Sequence, residues 1–241
     1  SRIMVIAPHP DDEVIGCGGT ILKGLNQQVF DIVYITNGEK GFVSEHAGTA
    51  EIRIQEAVNN WNSYNNIHLH FIGLKDSDII CDLDSIRKIG EVILTNQPDC
   101  ILLPDVTDHN IDHLACNLLI HEALLLFSYT HILIWGYEVW SAINPDIVVN
   151  ITEYYQGKCQ MIHNYISQFQ QFDYETLFTL NNKRTAIYGV LFADNTHNVH
   201  RVEQKQRMKK NLPFTREWLY AEGFRRYTFS EHAKELSDKL K

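Results

Sequence analysis

The sequence predicts an α/β fold: a doubly wound, mostly parallel, Rossmann-like sheet with helices on both faces and an elaborated C-terminal third. Three observations carry this. Short apolar runs of strand length alternate with helix-length segments through the first 137 residues. The first apolar run, Ile3-Met4-Val5-Ile6, passes directly into a charged loop and a glycine-rich turn, Gly16-Cys17-Gly18-Gly19. Open α/β sheets place their ligand sites at such carboxyl ends of strands. No linker, repeat or low-complexity tract interrupts the pattern, so residues 1–241 read as one domain.

In order, residues 2–7 form the first strand and 12–25 a helix. A second strand, 29–36, ends at the turn signal Asn37-Gly38. Residues 49–64 form a helix with Thr49 as N-cap and Ile52, Ala57 and Trp61 facing the core. A strand at 69–74, a helix at 83–96 and a strand at 100–104 follow. The Leu- and Ala-rich stretch 111–127 is a helix and 131–137 a fifth strand. The order implies parallel pairing with right-handed crossovers. Beyond Asp146 the pattern loosens into a strand at 147–151, helices at 153–169 and 174–190, a polar segment at 194–206 and a last strand at 222–228.

Composition excludes several classes. With 44% apolar and 21% charged residues the chain is of ordinary globular type. It has no run of 18 apolar residues, so no membrane span is expected. Ser1 leads almost at once into a strand, with no visible signal peptide. A net charge of −9 argues against nucleic acid as a partner. The basic run from Arg201 to Arg207, followed by Lys209-Lys210, reads as a solvated face. The five cysteines have no CxxC spacing, which fits reduced thiols in a cytoplasmic protein, with Cys100 and Cys116 in the core. The sequence leaves room for a homo-oligomer.

The stretch Ala7-Pro8-His9-Pro10-Asp11-Asp12-Glu13 is the most informative. One imidazole and three carboxylates within five residues are costly to crowd together unless a cation neutralises them. A plain acidic helix N-terminus accounts for Asp12 and Glu13 but not for His9 between two prolines. The fourth strand runs into a second acidic loop, Asp105-Val106-Thr107-Asp108-His109-Asn110-Ile111-Asp112-His113, at the same sheet edge. A histidine opening a helix there is placed to complete a metal site. His109 and His113 are four apart, but Asn110-Ile111 marks the loop-to-helix transition, so both are not counted as ligands.

Pro8-His9-Pro10-Asp11-Asp12-Glu13 together with Asn110-Ile111-Asp112-His113 resembles the PIG-L/LmbE-like zinc-dependent N-deacetylases. The likeness extends to Thr36-Asn37-Gly38-Glu39, Arg53 and Glu56, Gln97-Pro98-Asp99, His163 through Gln168, and Tyr220-Ala221-Glu222-Gly223-Phe224. It implies hydrolysis of an acetamide on an N-acetylglucosamine-type sugar conjugate. It also implies one zinc per chain, bound by His9, Asp12 and His113, with Asp11 as the base. Three protein ligands leave the open position that a catalytic zinc keeps for water. Asn110 and Asp112 join Asp11 as catalytic residues, Asp112 by orienting a neighbour. Arg53 and Glu13 are assigned to substrate, the plainer role for Arg53 being a helix salt bridge to Glu51 or Glu56.

Many relatives carry His where this chain has Asn110, which donates a hydrogen bond but does not titrate. The identity of the general acid is therefore open. Of the 12 histidines, His68, His70 and His121 read as edge or packing residues, and His163 as either support or site lining. His197 and His200 lie in a polar segment, with little to mark a second metal. Trp140, Tyr137 and Phe42 are candidates for a sugar-stacking wall.

Three rival readings fit the sequence less well. A dinucleotide site at Gly16-x-Gly18 lacks the third glycine, which is Ile21, and its acids would repel a pyrophosphate. A non-catalytic metal- or sugar-binding protein leaves the intact His9, Asp11, Asp12 and His113 set without a purpose. A metal-dependent hydrolase of another amide or ester bond uses the same fold, but two-metal phosphoesterases need more ligands than the sequence offers.

Overall fold

The computed structural model describes residues 1–41, 49–191 and 218–241. Phe42, His197, His200, the segment 194–206 and the basic run through Lys210 lie outside the described residues. The elements are β1 (Arg2–Ala7), α1 (Asp12–Gly24), β2 (Val29–Thr36), α2 (Thr49–Trp61), β3 (Ile67–Leu74), α3 (Leu83–Asn96), β4 (Cys100–Pro104), α4 (Ile111–Leu126) and β5 (Leu133–Tyr137). They continue as β6 (Ile147–Asn150), α5 (Tyr155–His163), α6 (Ile166–Phe169), α7 (Tyr174–Leu191), β7 (Ala221–Tyr227) and α8 (Phe229–Lys239).

The strands form one sheet in the order β3-β2-β1-β4-β5-β7-β6. The first five are parallel, and β7 runs antiparallel to both β5 and β6. This is the α/β fold expected. β1 pairs with both β2 and β4, so the chain winds outward in opposite directions from β1, and the crevice at that switch point opens above β1 and β4. The two loops richest in acids leave from those strands.

Alternation along β1 feeds two cores. Val5 and Ala7 join Ile15, Phe30, Tyr34 and Trp61 on one face, while Met4 and Ile6 join Val33, Leu103, Cys116 and Ile120 on the other. In α2 the buried residues Arg53, Ala57, Asn60 and Trp61 follow helical spacing. Ile52 falls off that stripe and is 52% exposed, contrary to expectation.

The C-terminal third departs most from the sequence reading. The helix expected at 153–169 is two, because Tyr165 leaves helical geometry (φ −80°, ψ 59°). Its hydroxyl is drawn into the core, donating to Glu13 Oε1. α8 was not foreseen. Its signal was present in Thr228 and Glu231, which form a reciprocal capping box.

A buried ion pair ties this third to α1. Lys158 Nζ donates to Glu222 Oε1 at 2.7 Å, Ile15 O at 2.7 Å and Asn182 Oδ1 at 3.1 Å. Glu222 also accepts from the backbone N–H groups of Gly19 and Thr20, at 2.9 and 2.7 Å. Every donor and acceptor of the pair is used, the condition under which a buried ion pair is tolerated. Lys158→Met strands the Glu222 charge and should cost about 3–5 kcal/mol in urea unfolding. The double variant Lys158→Met/Glu222→Gln should recover part of that loss.

α8 is anchored by His232, fully buried, whose Nε2–H donates to Asn117 Oδ1 at 2.8 Å. Burial, reinforced by His121, lowers His232 from 6.5 to about 4. The folded state therefore holds it neutral while the unfolded chain protonates. The stability this gives is complete above about pH 6.5 and is lost as pH falls toward 4, by about 3 kcal/mol. His232→Gln keeps a donor for Asn117 without a titrating group. Its melting temperature should fall less than that of the wild type between pH 6.5 and 4.

Candidate active site

The loop after β1 is fixed from several sides. Thr36 donates from both its N–H and its hydroxyl to Pro8 O, at 3.0 and 2.8 Å. Arg53 Nη2 donates to Pro10 O at 2.8 Å and to Asp11 Oδ2 at 2.9 Å, and Nη1 to Gly38 O at 3.1 Å. Asp11 sits at φ 148°, a conformation that costs a non-glycine residue energy and persists only when its surroundings enforce it. This backbone turn sends the adjacent carboxylates apart. Asp11 meets Arg53, while Asp12 meets the histidines.

Asp12 Oδ2 lies 3.1 Å from His9 Nδ1 and 3.3 Å from His113 Nε2. One ligand atom from each of His9, Asp12 and His113 lies within 4.8 Å of the others. Ligands about 2.1 Å from a tetrahedral ion are spaced about 3.4 Å apart, so the set fits a zinc-sized cation. His113 is fully buried, yet neither ring nitrogen makes a hydrogen bond among the described residues. An imidazole left so is costly unless a ligand engages it.

Carboxylates face the opposite nitrogen of each ring. His9 Nε2 lies 3.1 Å from Asp112 Oδ2 and 3.6 Å from Asp76 Oδ1. His113 Nδ1 lies 3.3 Å from Asp108 Oδ1, close enough for an ion pair but misaligned for a hydrogen bond. Carboxylates behind metal-bound imidazoles fix the tautomer and raise ligand basicity. The carboxylates are themselves held: Asp108 accepts from Asn110 and Trp140 N–H, Asp112 from Ser77 N–H and Asp76 from Lys40 N–H.

Burial and charge set the protonation states. Burial works to lower His113, but the Asp12 and Asp108 charges prevail and raise it to about 9. His9 is likewise raised, by Asp112, Asp12 and Asp76 against burial. Asp12 is held well below the carboxylate range by the two histidines, despite burial. Burial raises Asp11 to about 7, with Asp12 adding and Arg53 opposing. Two neighbouring carboxylates are thus driven apart, one toward permanent charge and one toward a proton-accepting range.

His9, Asp11 and Asp12 open on a cavity of about 530 Å³ that also touches Arg53, Asn110, Trp140, Gln168 and Tyr174, with His113 buried behind them. The structure therefore brings His9, Asp11, Asp12, Asn110, Asp112 and His113 together. Asn110 caps α4, its Oδ1 accepting from Asp112 N–H at 2.8 Å. Arg53 reaches the cavity but binds neither Glu51 nor Glu56; Glu56 instead accepts from Ser167. Glu13 requires correction as a substrate contact. It is fully buried beneath the site and accepts from Trp61 Nε1–H at 3.0 Å and from the Tyr165 hydroxyl.

Of the aromatic candidates, Trp140 lines the cavity. Tyr137 does not: it is fully buried, donates to Ile6 O at 2.7 Å and lies where a Cβ on Gly16 would meet its ring at 2.1 Å. His163 pairs with Glu175 at the surface, and His121 stacks on Phe229. Sequence reasoning missed Asp76 and Tyr174, and gave Gln168 no role beyond its place in the family-like segment 163–168. Asp76 had a signal, since it follows a third parallel strand at the same sheet edge. Tyr174 had none, because it comes from the irregular C-terminal third.

Comparison with known proteins bears on the fold and the family. The chain is 29% identical over 109 residues to a diacetylchitobiose deacetylase of Thermococcus kodakarensis, covering 43% of this chain and 40% of that protein. The match thus spans well under half of that relative's length. Among solved structures, the N,N'-diacetylchitobiose deacetylase of Pyrococcus horikoshii superimposes with a TM-score of 0.71 at 21% identity, over 95% of this chain and 84% of that one. A 4-carboxy-2-hydroxymuconate hydratase from Pseudomonas putida also scores 0.71, at 18% identity over 94% and 95% of the two chains, so the fold alone does not fix the reaction. No helix among the described residues is long and apolar enough to cross a membrane. Residues 4–124, half of the chain and the half that carries both acidic loops, match the family described as PIG-L, GlcNAc-PI de-N-acetylase, and the chain belongs to that family.

Proposed function

We propose that this protein is a zinc-dependent N-deacetylase of N-acetylglucosamine-type sugar conjugates. The observation that carries this reading is the His9, Asp12 and His113 cluster with Asp11 beside it, its carboxylate tending toward neutral pH. The relatives named as diacetylchitobiose deacetylases support an N-acetylated sugar as substrate. So does a cavity that combines acids for sugar hydroxyls with an aromatic wall at Trp140.

A zinc ion held by these three residues supplies a Lewis acid and lowers the pKa of a nearby water. The protein's residues do the rest. Arg53 holds Asp11 Oδ2, which leaves Oδ1 to accept a proton from the attacking water. The water oxygen bonds to the acetyl carbon, the C–N bond breaks, and Asp11 returns the proton to the departing nitrogen. Acetate and the free amino sugar are the products. Asp108 and Asp112 keep the two imidazoles oriented. Asn110, occupied as a helix cap, offers only its amide N–H groups to substrate.

The test is acetate release from a panel of N-acetylated sugars by the zinc-loaded protein; no release from any of them, with zinc bound, would overturn the reading. Asp11→Asn should keep zinc and lose about 100-fold or more in turnover. Activity near wild type at full occupancy would show that Asp11 is not the base. Asp108→Asn should leave the fold intact and weaken zinc by about 10- to 100-fold, measured by chelator competition.

A further inference from the structure

Resting on that deacetylase reading, we propose that Tyr174 is a catalytic residue, whose hydroxyl donates a hydrogen bond to the acetyl oxygen as negative charge gathers there. Hydrolysis of an amide needs a donor at that position. Several polar groups near the site are committed or lie outside the cavity. Asn110 caps α4 through its side-chain oxygen and keeps its amide N–H groups for substrate, a donor beside which Tyr174 would act. His109 is exposed and absent from the cavity lining. Arg53 spends both terminal nitrogens on Asp11, Pro10 and Gly38.

Tyr174 stands apart from these. It is only 4% exposed, and it lines the cavity. Among the described residues no group hydrogen-bonds its hydroxyl. A hydroxyl without such a bond is available to a partner, and the cavity that Tyr174 lines is where one would be supplied. The ring itself is held firmly, 5.0 Å from Phe172 and 6.1 Å from Trp140 between centroids.

Its position favours the acetyl group over the sugar. The charges that act on the Tyr174 hydroxyl are those of Asp11, Arg53 and Asp12. A carbon attacked by water on Asp11 must lie next to Asp11 and Asp12, so the oxygen on that carbon falls within the same neighbourhood. Burial, with Asp11 and Asp12 adding to it, holds the phenol protonated far above its ordinary range. It therefore acts as a neutral donor and not as an acid that titrates.

Tyr174→Phe keeps the ring and removes only the hydroxyl. With the best acetylated sugar of the panel, kcat should fall about 100-fold while KM stays within about twofold. Zinc content should not change. Melting temperature should hold or rise, because the lost hydroxyl has no partner to abandon among the described residues. A methylphosphonamide of the same amino sugar, which copies the tetrahedral centre, should bind more weakly to the variant by a similar factor. Undiminished kcat overturns the proposal. So does a raised KM with kcat kept, which would place the hydroxyl on the sugar. A lowered melting temperature or lost fold would show a structural partner and overturn it as well. Absence of acetate release from the wild type sinks the deacetylase reading and this one with it, whereas wild-type release with an equally fast variant sinks this one alone.

Discussion

The arrangement of this molecule turns on the confinement of negative charge at the carboxyl end of the sheet. Asp11, Asp12, Asp76, Asp108 and Asp112 are each no more than 4% exposed. The cationic side chains set among them are His9, Arg53 and His113. Carboxylates so placed cannot all be ionised without compensation. The structure answers with two imidazoles, one guanidinium and a ring of backbone N–H donors, and a divalent cation would meet the same charge at the same point. The loops, the helix starts and the backbone strain at Asp11 all serve this distribution.

Within it, Arg53 divides the labour of two adjacent acids. It takes one oxygen of Asp11 and the carbonyl beside it, so Asp11 cannot swing toward the histidines. Asp12 is left alone between His9 and His113. An arginine suits this position better than a lysine, since its fork reaches a carbonyl and a carboxylate in one plane. Gly38, at φ 63°, lies against the guanidinium, where a Cβ would come 2.2 Å from Nη1. The turn that closes β2 is thus shaped by the residue that restrains Asp11.

Much of this was legible in the sequence because the relevant signals are local. Strands β1 to β5 and helices α1 to α4 follow from apolar spacing and turn residues. His9, Asp12 and His113 stand out because acids and imidazoles crowd at strand ends. What stayed hidden depends on long-range placement. Glu13 reads like its neighbours in the chain, but one step further along α1 points it into the core toward Trp61 and Tyr165. Tyr137 looked like a wall residue because it ends β5, yet Gly16 leaves a space that draws its ring inward. The break at Tyr165 is caused by a contact 152 positions away, which no local pattern encodes.

The bond between Glu222 and the backbone of Gly19 spans 203 residues. It joins the helix that follows the His9–Asp11 loop to β7, the last strand among the described residues. Closing so long a loop is entropically expensive, and contacts of this range form late in folding. During synthesis the histidine–aspartate loop emerges early, but the clamp on its helix waits until β7 has left the ribosome. Until then the cluster of buried acids has an unfinished support, because the bonds from Glu222 and Lys158 to α1 are still to form.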